Sequence, residues 1–365
     1  MKMIRKRSFT LFLTLTLLLA LCAPAAAAPD NRLDTAMETC AAYLAAAVQS
    51  PQVGSVGGEW AVIGLARSCK EMPPAYGDGY CAAVEALAAQ RNGVLHERKY
   101  TEYSRVVLAL TALGADPTDV AGYDLLSPLG DFDKTLWQGI NGPVWALIAL
   151  DAGEYEMPAS PNAATQATRQ MYVDEILSRQ LDDGGWSLSG GAASDPDVTA
   201  MALQALSKYQ GQPAVKRATE NALNWLSKQQ NETGGFGAGG DSSAESAAQA
   251  LVALCELGIG WNDRRFVKNG RTLLDALLEF QKEDGSFAHV LGGASDPMAT
   301  EQGFYALVAA WRMQTGKNSL YRMSDVPQRP AAGRQPDFRL LAAKTGVKVG
   351  MYAFCFSNGL KGDRR

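Results

Sequence analysis

Two kinds of apolar segment alternate along the chain. In the first kind, apolar residues occupy one face and charged residues the other, as in 217–228. In the second kind, apolar or small residues surround the helix, with Ala-Leu-x-Ala-Leu cores at 202–206 and 250–254. A helix without a polar face must be buried on all sides, whereas an amphipathic helix lies at a surface. The pattern therefore predicts inner helices that outer helices shield from water.

The two kinds of segment form a repeat. Glycine-rich turns containing Gly184, Gly234 and Gly285 join outer to inner segments and lie about 50 residues apart. Equivalent alanines in the inner segments extend over 245 residues in five steps, a mean of 49: Ala61, Ala109, Ala146, Ala202, Ala250 and Ala306. Units of this period bury a core only when they stack together. We therefore predict an all-α fold, an α/α toroid of six helical hairpins, whose third outer helix (124–129) has the weakest pattern.

Three of the turns carry the same residues at the same spacing. A glutamine precedes each turn, and an aromatic residue follows its glycines. The pairs are Gln180 with Trp186, Gln230 with Phe236, and Gln281 with Phe287. A glutamine at a helix end can bond nearby backbone groups, and glycine permits the positive φ that a chain reversal needs. We interpret these six residues as structural, with the rings as buried staples.

The same three turns carry a family resemblance. They resemble the QW-type repeats of squalene cyclases and of the protein prenyltransferase β-subunit, which are terpenoid cyclase-like α/α toroids. The chain is also similar to exported bacterial relatives of the transcobalamin and intrinsic-factor α-domain. The resemblance covers roughly 37–322 and implies the toroid fold. It implies little about activity, because the repeat encodes the scaffold.

The N-terminus has the pattern of a signal peptide. Four cations within residues 2–7 precede an apolar run at 11–21, and small residues follow. We predict cleavage after Ala27 and a secreted or cell-surface protein. Lipidation at Cys22 is a less favoured alternative, because Leu21 is large for the position before it. N-terminal sequencing of the exported protein should start at Ala28, and a retained Met1 would contradict the prediction.

Composition and charge divide the rest of the chain. The toroid is predicted at 28–323, and a basic, proline-containing linker or tail at 324–365. The formal charge is −4; without the four leader cations it is −8. The tail has eight Lys or Arg and three Asp, so the body carries about −13. Such a charge argues against nucleic acid and anionic membranes and favours neutral or cationic partners. No long apolar run follows the leader.

A column of polar residues marks the candidate site. Counting five residues back from the equivalent alanines gives Val56, Ser104, Asn141, Asp197, Glu245 and Glu301. Three carboxylates from consecutive repeats would then converge at one rim, although acids also suit the first turn of any helix. Both explanations can hold. The predicted ligand-binding residues are Tyr100, Tyr103, Trp137, Gln138, Asn141, Asp197, Glu245, Glu301, Gln302 and Phe304.

The leading hypothesis is a binding protein. The mouth of the toroid would take a small molecule or a glycan, or would dock another surface protein. The resemblance to corrinoid carriers implies a corrinoid as one possible ligand. Those carriers close over the ligand with a β-rich domain, for which the roughly 40 residues after Met323 are too few. No cofactor is assigned.

Two enzyme classes are the alternatives. A glycan hydrolase or lyase could use Asp197 with Glu245 or Glu301 as acid and base. The resemblance also raises terpenoid cyclase or prenyltransferase chemistry. A cyclase would need an Asp-x-Asp-Asp cluster, but the stretch 194–198 reads Ser-Asp-Pro-Asp-Val. A prenyltransferase would need Asp, Cys and His as zinc ligands, and this chain has only two histidines, in no metal-binding pattern. No catalytic residue and no metal are therefore assigned.

Overall fold

The computed structural model describes residues 31–68, 72–191, 193–237 and 242–329. The predicted leader and most of the predicted tail lie outside these ranges. Within them, regular structure is helical and β-strands are absent. The predicted all-α class is confirmed.

The described part contains twelve α-helices that alternate between an outer and an inner position. They are α1 Asn31–Ala47, α2 Trp60–Arg67, α3 Pro74–Gln90, α4 Thr101–Ala112, α5 Phe132–Thr135, α6 Asn141–Ala152, α7 Arg169–Ser178, α8 Pro196–Leu206, α9 Pro213–Gln229, α10 Ala244–Glu256, α11 Leu273–Leu278 and α12 Pro297–Gln314.

The even-numbered helices form a closed inner ring. Each contacts the next one, and α12 returns to contact α2. Burial follows the predicted pattern: in α6 every residue except Asn141 and Asp151 is buried, whereas α9 buries only one face. The inner helices run parallel, because an outer segment returns the chain between each pair. The α/α toroid is therefore confirmed, with one mouth where the inner helices begin (the N-terminal mouth) and one where they end (the C-terminal mouth).

The third outer position departs from a regular hairpin. Here the chain forms a 3-10 turn at Ser127–Gly130, the short helix α5, and another 3-10 turn at Leu136–Gln138. Pro128 and Gly130 interrupt any longer helix in this stretch. This matches the weak pattern found at 124–129.

The repeat glutamines link each hairpin to the following one. The Gln180 side-chain amide donates to the carbonyls of Gly184 and Ala218, both at 2.8 Å. Gln230 donates likewise within its own turn and to the next repeat. Gln281 donates to the carbonyl of Ala36 in α1, at 2.8 Å. The last repeat is thus bonded to the first, which closes the ring.

The aromatic residue of each turn lies in the core. Trp186, Phe236 and Phe287 are all 0% exposed. The Trp186 indole N–H donates to the Ile176 carbonyl at 2.7 Å. The apolar part of the ring is therefore buried and its single polar group is hydrogen-bonded. These rings pack the scaffold and do not face a mouth.

Gly285 tests ring closure. Its φ is +90°, and a Cβ there would lie 2.4 Å from the Thr39 carbonyl oxygen in α1. Gly292 has a similar φ of +73° but nothing within 4 Å. Both substitutions strain the backbone, but only Gly285→Ala also forces a steric clash with α1. We therefore expect Gly285→Ala to lower the free energy of unfolding by about 1–3 kcal/mol more than Gly292→Ala does. Urea denaturation of both variants measures the difference, and equal losses would contradict closure through this contact.

After α12 the chain crosses the C-terminal mouth. We call residues 315–329 the cross-segment. Its backbone N–H groups bond to Glu256, Ala152 and Gly114 at Tyr321, Met323 and Arg329, so it spans three inner helices. Asp325 pairs with the buried guanidiniums of Arg67 and Arg312. The toroid therefore continues to pack beyond the predicted boundary at 323, through Arg329.

Candidate functional site

The predicted polar column lies at the N-terminal mouth, where the inner helices begin. Four of its six residues have an oxygen that is buried and has no hydrogen-bond partner within the described part of the chain. These are Ser104, Asn141, Asp197 and Glu301. Buried polar groups are nearly always paired, so four such atoms in one column require a physical explanation.

Glu301 is the most deeply buried carboxyl of the column. It lies in the second turn of α12 and is 1% exposed. One oxygen accepts a hydrogen bond from the Gly57 N–H at 2.7 Å, and the other has no partner. Burial raises the pKa of Glu301 to about 7, with the Gly57 bond opposing and the Glu59 charge adding to the shift. Near neutral pH a large fraction of this group is uncharged.

Asp197 is the second perturbed carboxyl. It lies in the first turn of α8, whose N-terminus is capped by the Asp195 side chain. Burial raises the pKa of Asp197 to about 6; the Ser246 hydroxyl lowers it and the Glu245 charge raises it. The structure thus places two weakly acidic carboxyl groups in one mouth.

The three predicted carboxylates surround one phenol. Burial raises the pKa of Tyr305, and Asp197, Glu245 and Glu301 all add to that shift. Glu245 differs from the other two, since it contacts the exposed His289 at 2.8 Å between Oε2 and Nδ1. Of the three, only Asp197 and Glu301 keep an unpartnered oxygen.

Three aromatic side chains lie four residues after positions of the column. Trp60 contacts Trp145 with ring centroids 5.1 Å apart, and Trp60 contacts Tyr305 at 5.7 Å. All three are at least nine-tenths buried. We call them the aromatic layer. Sequence reasoning missed them, although each immediately precedes one of the equivalent alanines and is therefore four residues beyond a column position.

Gln302 and Gln249 complete the wall beside Tyr305. The Gln249 side-chain amide donates to the Gln302 carbonyl at 3.0 Å and to the Tyr305 hydroxyl at 2.6 Å. The Tyr305 hydroxyl in turn donates to Gln302 at 3.2 Å. This chain of hydrogen bonds fixes the polar side of the lumen, as expected for a buried network. Gln302 was predicted at the site, whereas Gln249 was not.

Four predicted residues form a separate cluster. The Tyr100 ring lies 5.5 Å from Tyr103 and 6.2 Å from Trp137. Gln138 accepts from the Thr101 N–H at 3.0 Å, and the Tyr103 hydroxyl accepts from the Leu95 N–H. Among the described residues, no ring contact or hydrogen bond joins this cluster to Asp197 or Glu301. Its observed contacts stabilise the loops around α4, and a ligand contact there stays a prediction.

Phe304 faces the core. It is 0% exposed, and its ring would lie 2.6 Å from a Cβ built on Gly64. This contact lets α12 approach α2 closely. The surroundings of Phe304 favour packing over the predicted ligand contact.

Glu59 and Arg105 add a buried ion pair next to the mouth. Glu59 is 0% exposed and accepts from Gly54, Tyr80 and Arg105. Burial raises the pKa of Glu59, which these partners oppose. Arg105 also bonds Glu102 at 2.5 Å. Its guanidinium is therefore held by two carboxylates.

The large apolar side chains that remain exposed surround this same mouth. They lie in the segments leading into the inner helices, or in the first turn of α12. In the described ranges they are Val56, Val94, Trp137, Leu188, Val290, Leu291 and Met298. We call them the apolar rim. Such a concentration on one surface is typical of an interaction or ligand-access site.

Two kinds of feature are absent from the described residues. No helix there is both long and apolar enough to cross a membrane. No group of three or more His, Cys, Asp or Glu side chains is arranged to hold a metal ion.

Comparisons with known proteins show what this chain is similar to. Residues 199–323 match the family model "Prenyltransferase alpha-alpha toroid domain". The resemblance to prenyltransferase and squalene-cyclase-type repeat proteins is thereby confirmed. A search of curated protein sequences finds no match. The similarity to transcobalamin relatives stays a prediction.

Solved structures share the fold at low sequence identity. The apo type II terpene cyclase MstE from Scytonema has a TM-score of 0.51 and 16% identity, covering 78% of this chain and 100% of its own. Candida albicans protein geranylgeranyltransferase-I, complexed with GGPP, has a TM-score of 0.52 and 12% identity, covering 78% and 92%. A variant of the Scytonema MstE enzyme, in complex with its substrate geranylgeranyl dihydroxybenzoate, has a TM-score of 0.50 and 16% identity, covering 78% and 98%. At these identities the likeness shows the fold alone.

Proposed function

We propose that the chain binds a neutral, largely apolar small molecule of the isoprenoid class in its N-terminal mouth. The observation that carries this proposal is the pair Asp197 and Glu301. Each has a raised pKa and a buried oxygen without a protein partner. A ligand oxygen could accept a hydrogen bond from either protonated carboxyl, while the aromatic layer contacts an apolar body.

The surroundings favour a neutral ligand over an anionic one. A diphosphate would be repelled by Glu245 and by the ionised fractions of Asp197 and Glu301, the three groups whose charges act on Tyr305. Arg105 is held by Glu59 and Glu102. Bringing a further anion beside these groups is unfavourable. An isoprenoid alcohol, ester or quinone has no such penalty, and the apolar rim suits its passage.

The isoprenoid class is also supported by the structural neighbours. The terpene cyclase and the geranylgeranyltransferase are named with geranylgeranyl compounds. Their active toroids keep terpenoid cyclase-like chemistry as the second candidate. Against it, Asp195 caps α8 by accepting from the N–H groups of Asp197 and Val198, so it is engaged as a helix cap. A carboxyl with a raised pKa is also a poor acid for protonating an alkene.

Titration of the purified protein with geranylgeraniol, geranylgeranyl diphosphate and cobalamin tests the proposal. We expect the alcohol to quench the fluorescence of Trp60 and Trp145. The diphosphate should bind with an affinity at least about tenfold lower. Mass spectrometry of the same samples should find the alcohol unchanged. Binding of the diphosphate or cobalamin alone would contradict the proposed ligand class.

Amide variants separate binding from catalysis. Glu301→Gln keeps a hydrogen-bond donor and should keep binding within about threefold, whereas Glu301→Met should lose about tenfold. Glu245→Gln is the matched control, because its carboxylate already contacts His289. A product formed by the wild type and lost in Glu301→Gln, with binding intact, would identify an enzyme instead.

A further inference from the structure

A cavity lies at the C-terminal mouth, at the opposite end of the inner helices from Asp197 and Glu301. Its volume is about 740 Å³. It is lined by the ends of α6, α8, α10 and α12 and by residues of the cross-segment between 316 and 322. Neither these two carboxyl groups nor the aromatic layer lines it. Its size is within the range of small-molecule sites.

Two buried polar groups in the cavity wall have no partner within the described part of the chain. Gln204 is 3% exposed; its amide N–H₂ donates to Gln249, while its carbonyl oxygen is unpaired. Tyr321 is 5% exposed, and its hydroxyl is unpaired. The Tyr321 ring packs edge-on against Trp145, with the ring centroids 6.2 Å apart. Leaving such groups unpaired costs about 1–3 kcal/mol each, a cost that a polar molecule bound in the cavity would relieve.

The charges of the lining cancel. Three acidic and three basic side chains face the cavity, namely Asp151, Glu154, Glu256, Lys208, Lys317 and Arg322. Part of this charge is already engaged, since Asp151 pairs with Arg169 and Glu256 accepts from Ser319. A lining without net sign does not select an anion or a cation.

The remaining lining alternates donors and acceptors around a small apolar surface. Ser207, Ser319 and Asn318 contribute hydroxyl and amide groups, and Ile148 and Met313 contribute apolar contact. A ring with hydroxyl groups at its edge and C–H groups on its faces matches both kinds of surface. We propose that this cavity binds a neutral sugar of one or two rings, with the Tyr321 hydroxyl and the Gln204 carbonyl as its buried hydrogen-bond partners.

Thermal shift and calorimetric titration with glucose, maltose, cellobiose and trehalose test this inference. We expect at least one of these sugars to raise the Tm and bind saturably. Tyr321→Phe removes only the unpaired hydroxyl, so the free variant should melt at or above the wild-type Tm and bind the sugar about tenfold more weakly. Hydrogen exchange should slow in the cross-segment when sugar binds and stay unchanged at 55–59.

Tyr76→Phe is the matched control. The Tyr76 hydroxyl is also buried and unpartnered, but Tyr76 does not line this cavity. This variant should bind the sugar as the wild type does. The inference is overturned if none of the four sugars shifts the Tm at about 100 mM, or if Tyr321→Phe binds as tightly as the wild type. It is equally overturned if glucuronate or glucosamine binds more than about tenfold better than glucose.

Discussion

Replacing Trp186 with alanine is expected to lower the free energy of unfolding by about 3–5 kcal/mol. The side chain is 0% exposed, and its indole N–H donates to the Ile176 carbonyl at 2.7 Å. The substitution would leave a large cavity between α7 and α8 and an unpaired carbonyl. Urea denaturation followed by circular dichroism measures the loss.

Two further variants make the result specific. Trp186→Phe should cost less than alanine, because it keeps most of the packing and loses only the indole bond and part of the volume. Trp137→Ala removes a tryptophan that is 52% exposed and should change stability by about 0.5 kcal/mol or less. A Trp186→Ala protein as stable as the Trp137→Ala protein would show that the ring is not a structural staple.

The second large effect is a pH-dependent stabilisation by Glu301→Gln. Burial raises the pKa of Glu301 from 4.5 to about 7, so the folded state binds this proton more tightly than the unfolded state. Stability from this group is complete below about pH 4.5, falls as the pH rises toward 7, and is lost above it. The total loss is about 3 kcal/mol. A glutamine is neutral throughout and should escape that loss.

Chemical denaturation at about pH 5 and about pH 8 measures this linkage. The variant should resemble the wild type at the lower pH and exceed it by up to about 3 kcal/mol at the higher one. Glu245→Gln, whose carboxylate contacts an exposed histidine, should gain no stability at the higher pH. If Glu301→Gln were equally destabilised at both values, Glu301 would be a charged partner of Gly57 and not a protonated acid.

The ring architecture could be predicted from the sequence because its determinants are local and repeated. Each repeat contains the same features: a small-residue inner helix, a glutamine before the turn and glycines within it. Because these features recur, each copy supports the same assignment. The closing contact between Gln281 and Ala36 follows once the repeats are counted, since the last unit must meet the first. The third outer position was weak in sequence and irregular in structure for the same reason, its prolines and glycines.

The site was predictable only in part. Counting back from the equivalent alanines located Asp197 and Glu301, because parallel inner helices bring equivalent positions to one mouth. The same count misses Trp145, although Asn141 and Trp145 are i and i+4 on one helix and share a face. It also misses Trp60, because the residues before Trp60 are not helical. Tyr100 and Trp137 each lie four residues before a column position, Ser104 and Asn141. Such closeness in sequence does not determine the direction of a side chain outside the helix.

The cross-segment shows a different limit. Its prolines and arginines are typical of a linker, and the sequence boundary was placed at 323 accordingly. Asp325 and Arg329 nevertheless dock through ion pairs with Arg67 and Asp78, about 250 residues away in the chain. Amino-acid composition does not show which residues form ion pairs when they lie so far apart in the chain.

The pH dependence of geranylgeraniol binding tests the central claim most directly. If protonated Glu301 donates to a neutral ligand, the wild-type affinity should fall about tenfold as the pH rises from about 6 to about 9. Glu301→Gln should bind with nearly constant affinity over the same range, because its amide donor does not titrate. Wild-type binding that is absent at every pH, or that is the same at both ends of the range, would contradict the account.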